Sequence, residues 1–477
     1  MAGTTGIATS RNASRAPTSR GDSGAQTSRG DSHAPRNVLI RGGRVIDPAS
    51  GRDGLFDVLV ADGVIDSIGA AGTLDPKQLA MPGIAGASPV LDATGFIVAP
   101  GFVDMHVHLR EPGFEYKETI ETGARAAAAG GVTSVACMAN TNPVNDNAAV
   151  TQYILEKASK AGFANVFPIG AVSVGLAGER MAEFGEMAEA GVVAFSDDGM
   201  PVIDSALMRR ALEYARMFRL PVIVHEEDPG LCCGAVMHEG AVSVKLGLKG
   251  MPSAGESVMV ARDIELVRTS RGRLHIAHIS CAESVDMVRR AKAEGLDVTA
   301  EAAPHHFMLD DTAVEEYNTN AKMKPPLRSR SDVEAIRRGL ADGTIDAIAT
   351  DHAPHHRDEK VCEFDKAAFG IVGLETMLPL SLELVRRGYL DLSRMIDALS
   401  TQPAKILGIG RGTLAVGAPA DIVIFDPERD WTLRADAMAT KSRNTPFDGW
   451  KLSGKAICTL VGGAVVWSDM ASKENIK

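Results

Sequence analysis

A chain of 477 residues is too long for one small domain and suits a unit of roughly 250 to 300 residues with a smaller one attached. Its 45% hydrophobic and 23% charged content is that of a globular protein, and Gly, Pro or charge interrupts every apolar run before it could span a bilayer, which argues against a membrane protein. A formal net charge of −11 leaves no basic face for a phosphate backbone, which points away from nucleic acid and toward a small-molecule partner.

Residues 1–36 are rich in Ser, Thr, Gly, Ala and Arg, with TSRGDS at 18–23 and again at 27–32. Such a segment buries too little apolar surface to order itself and is expected to be a disordered tail. From Asn37 the texture changes to VLIRGGRVID, FDVLVADGVIDSIG and GFIVAP, β-branched runs punctuated by Gly and Asp that predict strands joined by tight turns. The far end repeats this texture in ADIVIFDP, WTLR and AICTLVGGAVVWS. Residues 37–97 and 408–470 are therefore read as one small β-sandwich domain made from both chain ends.

Between them, residues 98–407 alternate apolar strands with helical segments. Eight strands are predicted: VDMHVHL, TSVACMA, NVFPIGAV, VVAFSDD, PVIVHEE, LHIAHIS, DVTAEAAPHH and DAIATDHAP. Of the intervening helices, DSALMRRALEYARMF places Leu207, Ala211, Ala215 and Phe218 on one face behind a capping Asp204. Eight successive β-then-α units predict an α/β fold, a (β/α)8 TIM-like barrel whose strands are covered on both sides. The six cysteines show no CxxC spacing, which fits free thiols in a reducing cytoplasm.

The chemistry-bearing residues fall at the C-terminal ends of these strands: His106 and His108, then Asn140, Asp197 and Asp198, His225, His278 and Asp351. A barrel of this type carries its active site at that face. HVH puts two imidazoles on the same side of a strand, although HxH alone also arises by chance, and a lone buried histidine is more often structural than a ligand. Four imidazoles with two carboxylates exceed the needs of one tetrahedral ion and suit two divalent cations around a shared water. Cations lower the pKa of such a water from about 15.7 toward about 7, so no serine nucleophile is required, and no GxSxG elbow is present.

In order, HVHLREPG, YKET, CMANTNP, AFSDDG, VHEED, KPPLR, ATDHAPH and GLET resemble the class I dihydroorotases of the amidohydrolase superfamily over about residues 37 to 470. The resemblance implies that His106, His108 and Asp351 hold one metal, that His225 and His278 hold the other, and that Asp198 bridges them. Asp197 competes for that bridge, and adjacent acids are not separable by sequence. Many relatives, hydantoinases and allantoinases among them, use a carboxylated lysine at the fourth strand, where this chain has SDDG. The resemblance further implies that Arg110, Asn140 and His355 clamp the substrate carboxylate, and that Asp351 acts as general acid and base in the reversible hydrolysis of (S)-dihydroorotate to N-carbamoyl-L-aspartate. Two departures stand out, MANTN for MPNTN and KPPL for NPPL, and the second makes Lys324 a candidate substrate contact. His305, His306, His352 and His356 are read as structural or supporting. Zinc is the favoured ion, with Mn or Co also accommodated. A homodimer is expected, and the sequence leaves association with aspartate transcarbamoylase open. The rival readings are another cyclic amidase and a catalytically inert partner of that transcarbamoylase.

Overall fold

Two short apolar runs, Val38 to Ile40 and Val45 to Ile46, separated by Gly42 and Gly43 where the pairing register shifts, make the first described segment an irregular strand, β1 (Val38–Asp47). The computed structural model describes residues 37–75 and 90–469, so the tail predicted over 1–36 lies outside the described residues. β1 pairs antiparallel with β2 (Arg52–Ala61) across a turn closed by Gly51 at φ 67, a backbone conformation that costs glycine little. β3 (Val64–Ala70) extends the hairpin, while β4 (Val90–Asp92) and β5 (Ile97–Pro100) run parallel to β1.

The chain then enters a repeating strand and helix pattern. β6 (Phe102–Val107), α1 (Ile120–Ala129), β7 (Val132–Cys137), α2 (Ala148–Ala161) and β8 (Asn165–Pro168) open it. α3 (Phe184–Ala190), α4 (Ser205–Phe218), β9 (Val222–Val224), α5 (Ala254–Ser270), β10 (Leu274–Ile276), α6 (Ala282–Ala293) and β11 (Val298–Ala302) follow. α7 (Arg330–Asp342), β12 (Ala347–Ile348) and α8 (Met377–Arg386) complete it. In α4 the Asp204 carboxylate accepts from Ala206 N and Leu207 N at 2.7 and 3.1 Å, and Leu207, Ala211 and Ala215 are buried as their spacing predicted.

β6, β7 and β8 form one parallel sheet and β9, β10, β11 and β12 another. Single parallel bridges join them, Gly170 to Phe195 and Phe195 to Val222 on one side and His352 to Val107 on the other. The fourth predicted strand, VVAFSDD, is thus present only as bridges at Phe195. Its end is drawn out of a ladder because the Asp197 carboxylate takes up Val172 N and Ser173 N at 2.7 and 3.0 Å.

The chain end supplies β13 (Ile422–Thr432), β14 (Lys451–Val461) and β15 (Ala464–Ser468). Because β5 pairs with β1 on one edge and β13 on the other, strands from both ends join one eight-stranded sheet. Val38, Ile40, Val58 and Val60 share its core with Ile422, Ile424, Cys458 and Leu460. All six cysteines are free. Among the described residues no helix is long and apolar enough to cross a membrane.

One buried ion pair braces the strand ends. Arg328 and Glu256 are each 2% exposed and meet at 3.4 Å, Arg328 also donating to Ser280 Oγ at 3.0 Å and Met251 O at 2.9 Å. Arg328→Met should cost about 3 to 5 kcal/mol, because it strands the Glu256 charge in the interior. Chemical denaturation measures this, and a loss below about 1 kcal/mol would show that the pair is dispensable.

Candidate metal centre

His106 lies within β6 and His108 just beyond it, and the two-residue period of a strand turns both rings to one side. The other candidates arrive where the chain leaves its strands. Arg110, His278 and Asp351 all have positive φ, at 63, 31 and 47°. Each such residue costs of order 1 to 3 kcal/mol, a strain that persists where the surroundings over-determine it and that clusters at functional sites.

These bends bring six side chains from five separate stretches of chain into one buried cluster. Asp198 is its hub: Oδ1 lies 3.4 Å from His106 Nε2, 3.5 Å from His225 Nδ1 and 3.5 Å from His278 Nε2, and Oδ2 lies 3.5 Å from His108 Nε2. Asp351 Oδ1 lies 3.0 Å from His108 Nε2 and 3.6 Å from His106 Nε2. His225 Nδ1 and His278 Nε2 are 3.0 Å apart. Two sets of mutually close donors stand out, His106 with Asp198 and His278, and His106 with His108 and Asp351, and they share His106. Asp197 faces the opposite way, bonded to Val172 N, Ser173 N and Ser173 Oγ. The structure therefore separates the two adjacent acids.

The donor set fits divalent cations. Ligands held tetrahedrally at about 2.1 Å from an ion stand about 3.4 Å apart, and the separations within the cluster run from 3.0 to 3.6 Å. His106 Nε2, Asp198 Oδ1, His225 Nε2 and His278 Nδ1 are buried without a hydrogen bond, an arrangement that is costly unless something else satisfies them. The electrostatics point the same way. Burial opposes charge on Asp198, yet the facing His106 holds its carboxyl well below the usual range. Burial likewise opposes protonation of His225, yet Asp198 and Glu227 raise it to about 9. The acids draw positive charge into the cluster, so protons and metal ions compete for it.

Arg110 makes no ion pair among the described residues. Glu111 is taken by Lys157 at 3.1 Å and Glu115 by Gly113 N at 2.8 Å, so neither neighbouring acid neutralises it. Its Nε donates to Pro354 O at 3.2 Å, and its Nη2 stands 3.4 Å from His355 Nε2. That nitrogen donates to Phe369 O at 2.8 Å and so offers Arg110 no lone pair. Burial first, then the charges of Arg110, Lys117 and Lys360, push His355 down to about 3, so it is neutral. Asn140 presents Oδ1 to His108 Nδ1 at 2.9 Å, which gives it a contact with a candidate ligand beside its expected place in the clamp.

Lys324, expected as a candidate substrate contact, pairs with Glu227 at 2.8 Å, and Glu227 reaches His225 Nε2 at 3.5 Å. His352 is fixed by Gly373 N at 3.1 Å and faces Glu118 at 3.6 Å, while His306 bonds Pro325 O at 3.0 Å. Asp104, Glu301, His275 and Thr350 surround His106 without any local sequence motif that marks them. Asp104 ties His106 N to Thr350 N at 3.2 and 3.1 Å, and Glu301 lies 2.7 Å from His106 Nδ1 and 3.2 Å from His275 Nε2. Burial opposes the Glu301 charge, but the two imidazoles bring it down to about 2. The only advance sign of Glu301 was its position, alternating with Thr299 on one face of a strand.

The chain is similar to known proteins over most of its length. The family described as dihydro-orotase-like matches residues 95–284. A dihydroorotase of Geobacter sp. (strain M21) is 56% identical over 431 residues, covering 90% of this chain and 99% of that protein. One of Geobacter sulfurreducens is 56% identical over 432 residues, covering 91% and 99%. Among solved structures, the L-hydantoinase (dihydropyrimidinase) from Arthrobacter aurescens superposes with a TM-score of 0.80 at 25% identity, covering 92% of this chain and 98% of that one. The D-hydantoinase (dihydropyrimidinase) from Thermus sp. gives 0.78 at 28% identity, covering 91% and 95%.

Proposed function

The chain belongs to the dihydroorotases, cyclic-amide hydrolases of the amidohydrolase superfamily, and from that premise we propose a class I enzyme that interconverts (S)-dihydroorotate and N-carbamoyl-L-aspartate at a two-cation centre. We read the two parallel sheets and their bridges as a (β/α)8 barrel over about residues 98–407, and the terminal sheet as a β-sandwich of residues 37–97 and 408–470 with its seam at Pro100. The observation that carries the substrate assignment is Arg110, an unpaired guanidinium two residues beyond His108. A planar cation without a protein carboxylate is suited to a carboxylate brought by the substrate.

His106, His108 and Asp351 would hold one cation, His225 and His278 the other, with Asp198 between them; zinc suits these donors. Cations bound by these residues would supply Lewis-acid activation of a water and of the ring carbonyl. The protein's own groups do the rest. Arg110, with Asn140 and His355 beside it, orients the ring through its carboxylate. Asp351 takes a proton from the attacking water as the new C–O bond forms, and returns it to the ring nitrogen as the C–N bond breaks. Ring closure runs the same steps backward. A homodimer and a complex with aspartate transcarbamoylase belong to this reading and are tested by sedimentation of the protein alone and mixed with that enzyme.

The decisive experiment assays the purified protein on dihydroorotate, hydantoin and allantoin, with metal content measured on the same sample. Dihydroorotate should lead in kcat/KM by about 10²-fold or more, since a site built around a polar group rejects substrates lacking it. Arg110→Ala should raise KM for dihydroorotate by about 10²-fold, the worth of a charge-assisted pair. A protein that prefers hydantoin, or an Arg110→Ala variant with unchanged KM, would overturn the substrate assignment.

A further inference from the structure

His106 belongs to both sets of close donors, so its ring orientation bears on both of them. A neutral imidazole presents an Nε2 lone pair only when its proton sits on Nδ1. Nδ1 of His106 lies 2.7 Å from Glu301 Oε1, and both residues are buried to within 1%. The second oxygen of Glu301 lies 3.2 Å from His275 Nε2, and His275 Nδ1 lies 2.8 Å from Thr299 Oγ1. The Thr299 hydroxyl also lies 3.4 Å from Leu274 O, and with both imidazoles neutral the row takes the following assignment. The Thr299 hydroxyl donates to His275 Nδ1, His275 Nε2–H donates to Glu301, and Glu301 accepts the His106 Nδ1 proton with its other oxygen.

We infer that Glu301 is a positioning residue: it fixes His106 in the Nδ1–H tautomer and aims Nε2 at Asp198 and Asp351, while His275 and Thr299 hold Glu301 in place. The assignment rests on the reading of the six-donor cluster as a metal centre. A buried carboxylate whose task was only to fill space would be an expensive choice, because a hydrophobic side chain of similar volume is often equally stabilising. What marks Glu301 is its aim, one oxygen on the ring whose far nitrogen has no hydrogen bond. The strand geometry makes the row possible: Thr299 and Glu301 share a face of β11, which is paired with β10, so His275 stands directly opposite Thr299.

Glu301→Gln tests this, because it keeps the shape but removes the charge and one acceptor. Cation affinity is read by chelator competition well below the melting temperature, and the absorption spectrum of the cobalt-loaded protein reports the ligand field. Glu301→Gln should bind cations about 10- to 100-fold more weakly and alter the cobalt spectrum, while the metal-free variant melts near the unsubstituted metal-free protein. Glu301→Asp should recover part of the loss. His275→Leu, which leaves Glu301 in place but unbraced, should lose several-fold in affinity and carries the test if Glu301→Gln fails to fold. Unchanged affinity and spectrum in a folded Glu301→Gln or His275→Leu variant would overturn the assignment while leaving the metal centre standing. An unsubstituted protein that binds no divalent cation would overturn both.

Discussion

Asp351→Asn should lose about 10³-fold or more in kcat, toward the upper part of the range that a positioned acid–base group contributes, while retaining most of its metal. The amide is nearly isosteric and keeps an oxygen where Asp351 Oδ1 meets His108 Nε2 at 3.0 Å, but it cannot take up the proton that the attacking water must shed. The acid is set for that task. Burial would raise its pKa, yet the hydrogen bond to His108 and the charges of His106 and His108 hold it below the ordinary carboxylate range, so it is ionised and ready as a base at neutral pH. Its backbone, at φ 47, is held in a conformation that a side chain rarely adopts, which follows if position matters more than local strain. Single-turnover rates and metal content on the same preparation decide the matter. A variant with metal and undiminished turnover removes Asp351 from the chemistry; one that loses both is informative about ligation alone.

The parts legible in the sequence were those with a local period. HVH follows from strand alternation, the α4 cap from Asp204 before an apolar stripe, and the terminal β texture from repeated β-branched runs. What escaped were contacts made across long sequence separations, for which no local pattern exists. Glu301 lies 195 positions from His106, and no window of sequence reveals that their atoms come within 2.7 Å. Lys324 shows the same limit. Its motif suggested a cation near the substrate, and no window of sequence shows that Glu227, which reaches His225, lies within 2.8 Å of it. The fourth strand was legible as an apolar run but not as a pair of isolated bridges, because its irregularity comes from Asp197 bonding the backbone of another segment.

The same irregularity supports the sharpest test of the centre, a comparison of Asp198→Asn with Asp197→Asn. Neighbouring residues on an extended chain face opposite sides, and here the two carboxylates have unrelated partners. Asp198 meets four imidazoles at 3.4 to 3.5 Å, so its replacement removes the one acid among the described residues that touches all of them and leaves their lone pairs facing one another. Asp198→Asn should therefore lose much of its bound metal and about 10³-fold or more in kcat, since a step that relies on metal-activated water loses its nucleophile. Asp197 accepts two backbone N–H groups and the Ser173 hydroxyl, and an asparagine oxygen can still accept from the backbone pair. Asp197→Asn should keep its metal and cost about 1 to 2 kcal/mol of stability, the scale of a weakened buried hydrogen-bond set. Metal analysis and denaturation of both variants distinguish the roles, and a metal-depleted Asp197→Asn beside a metal-replete Asp198→Asn would reverse them.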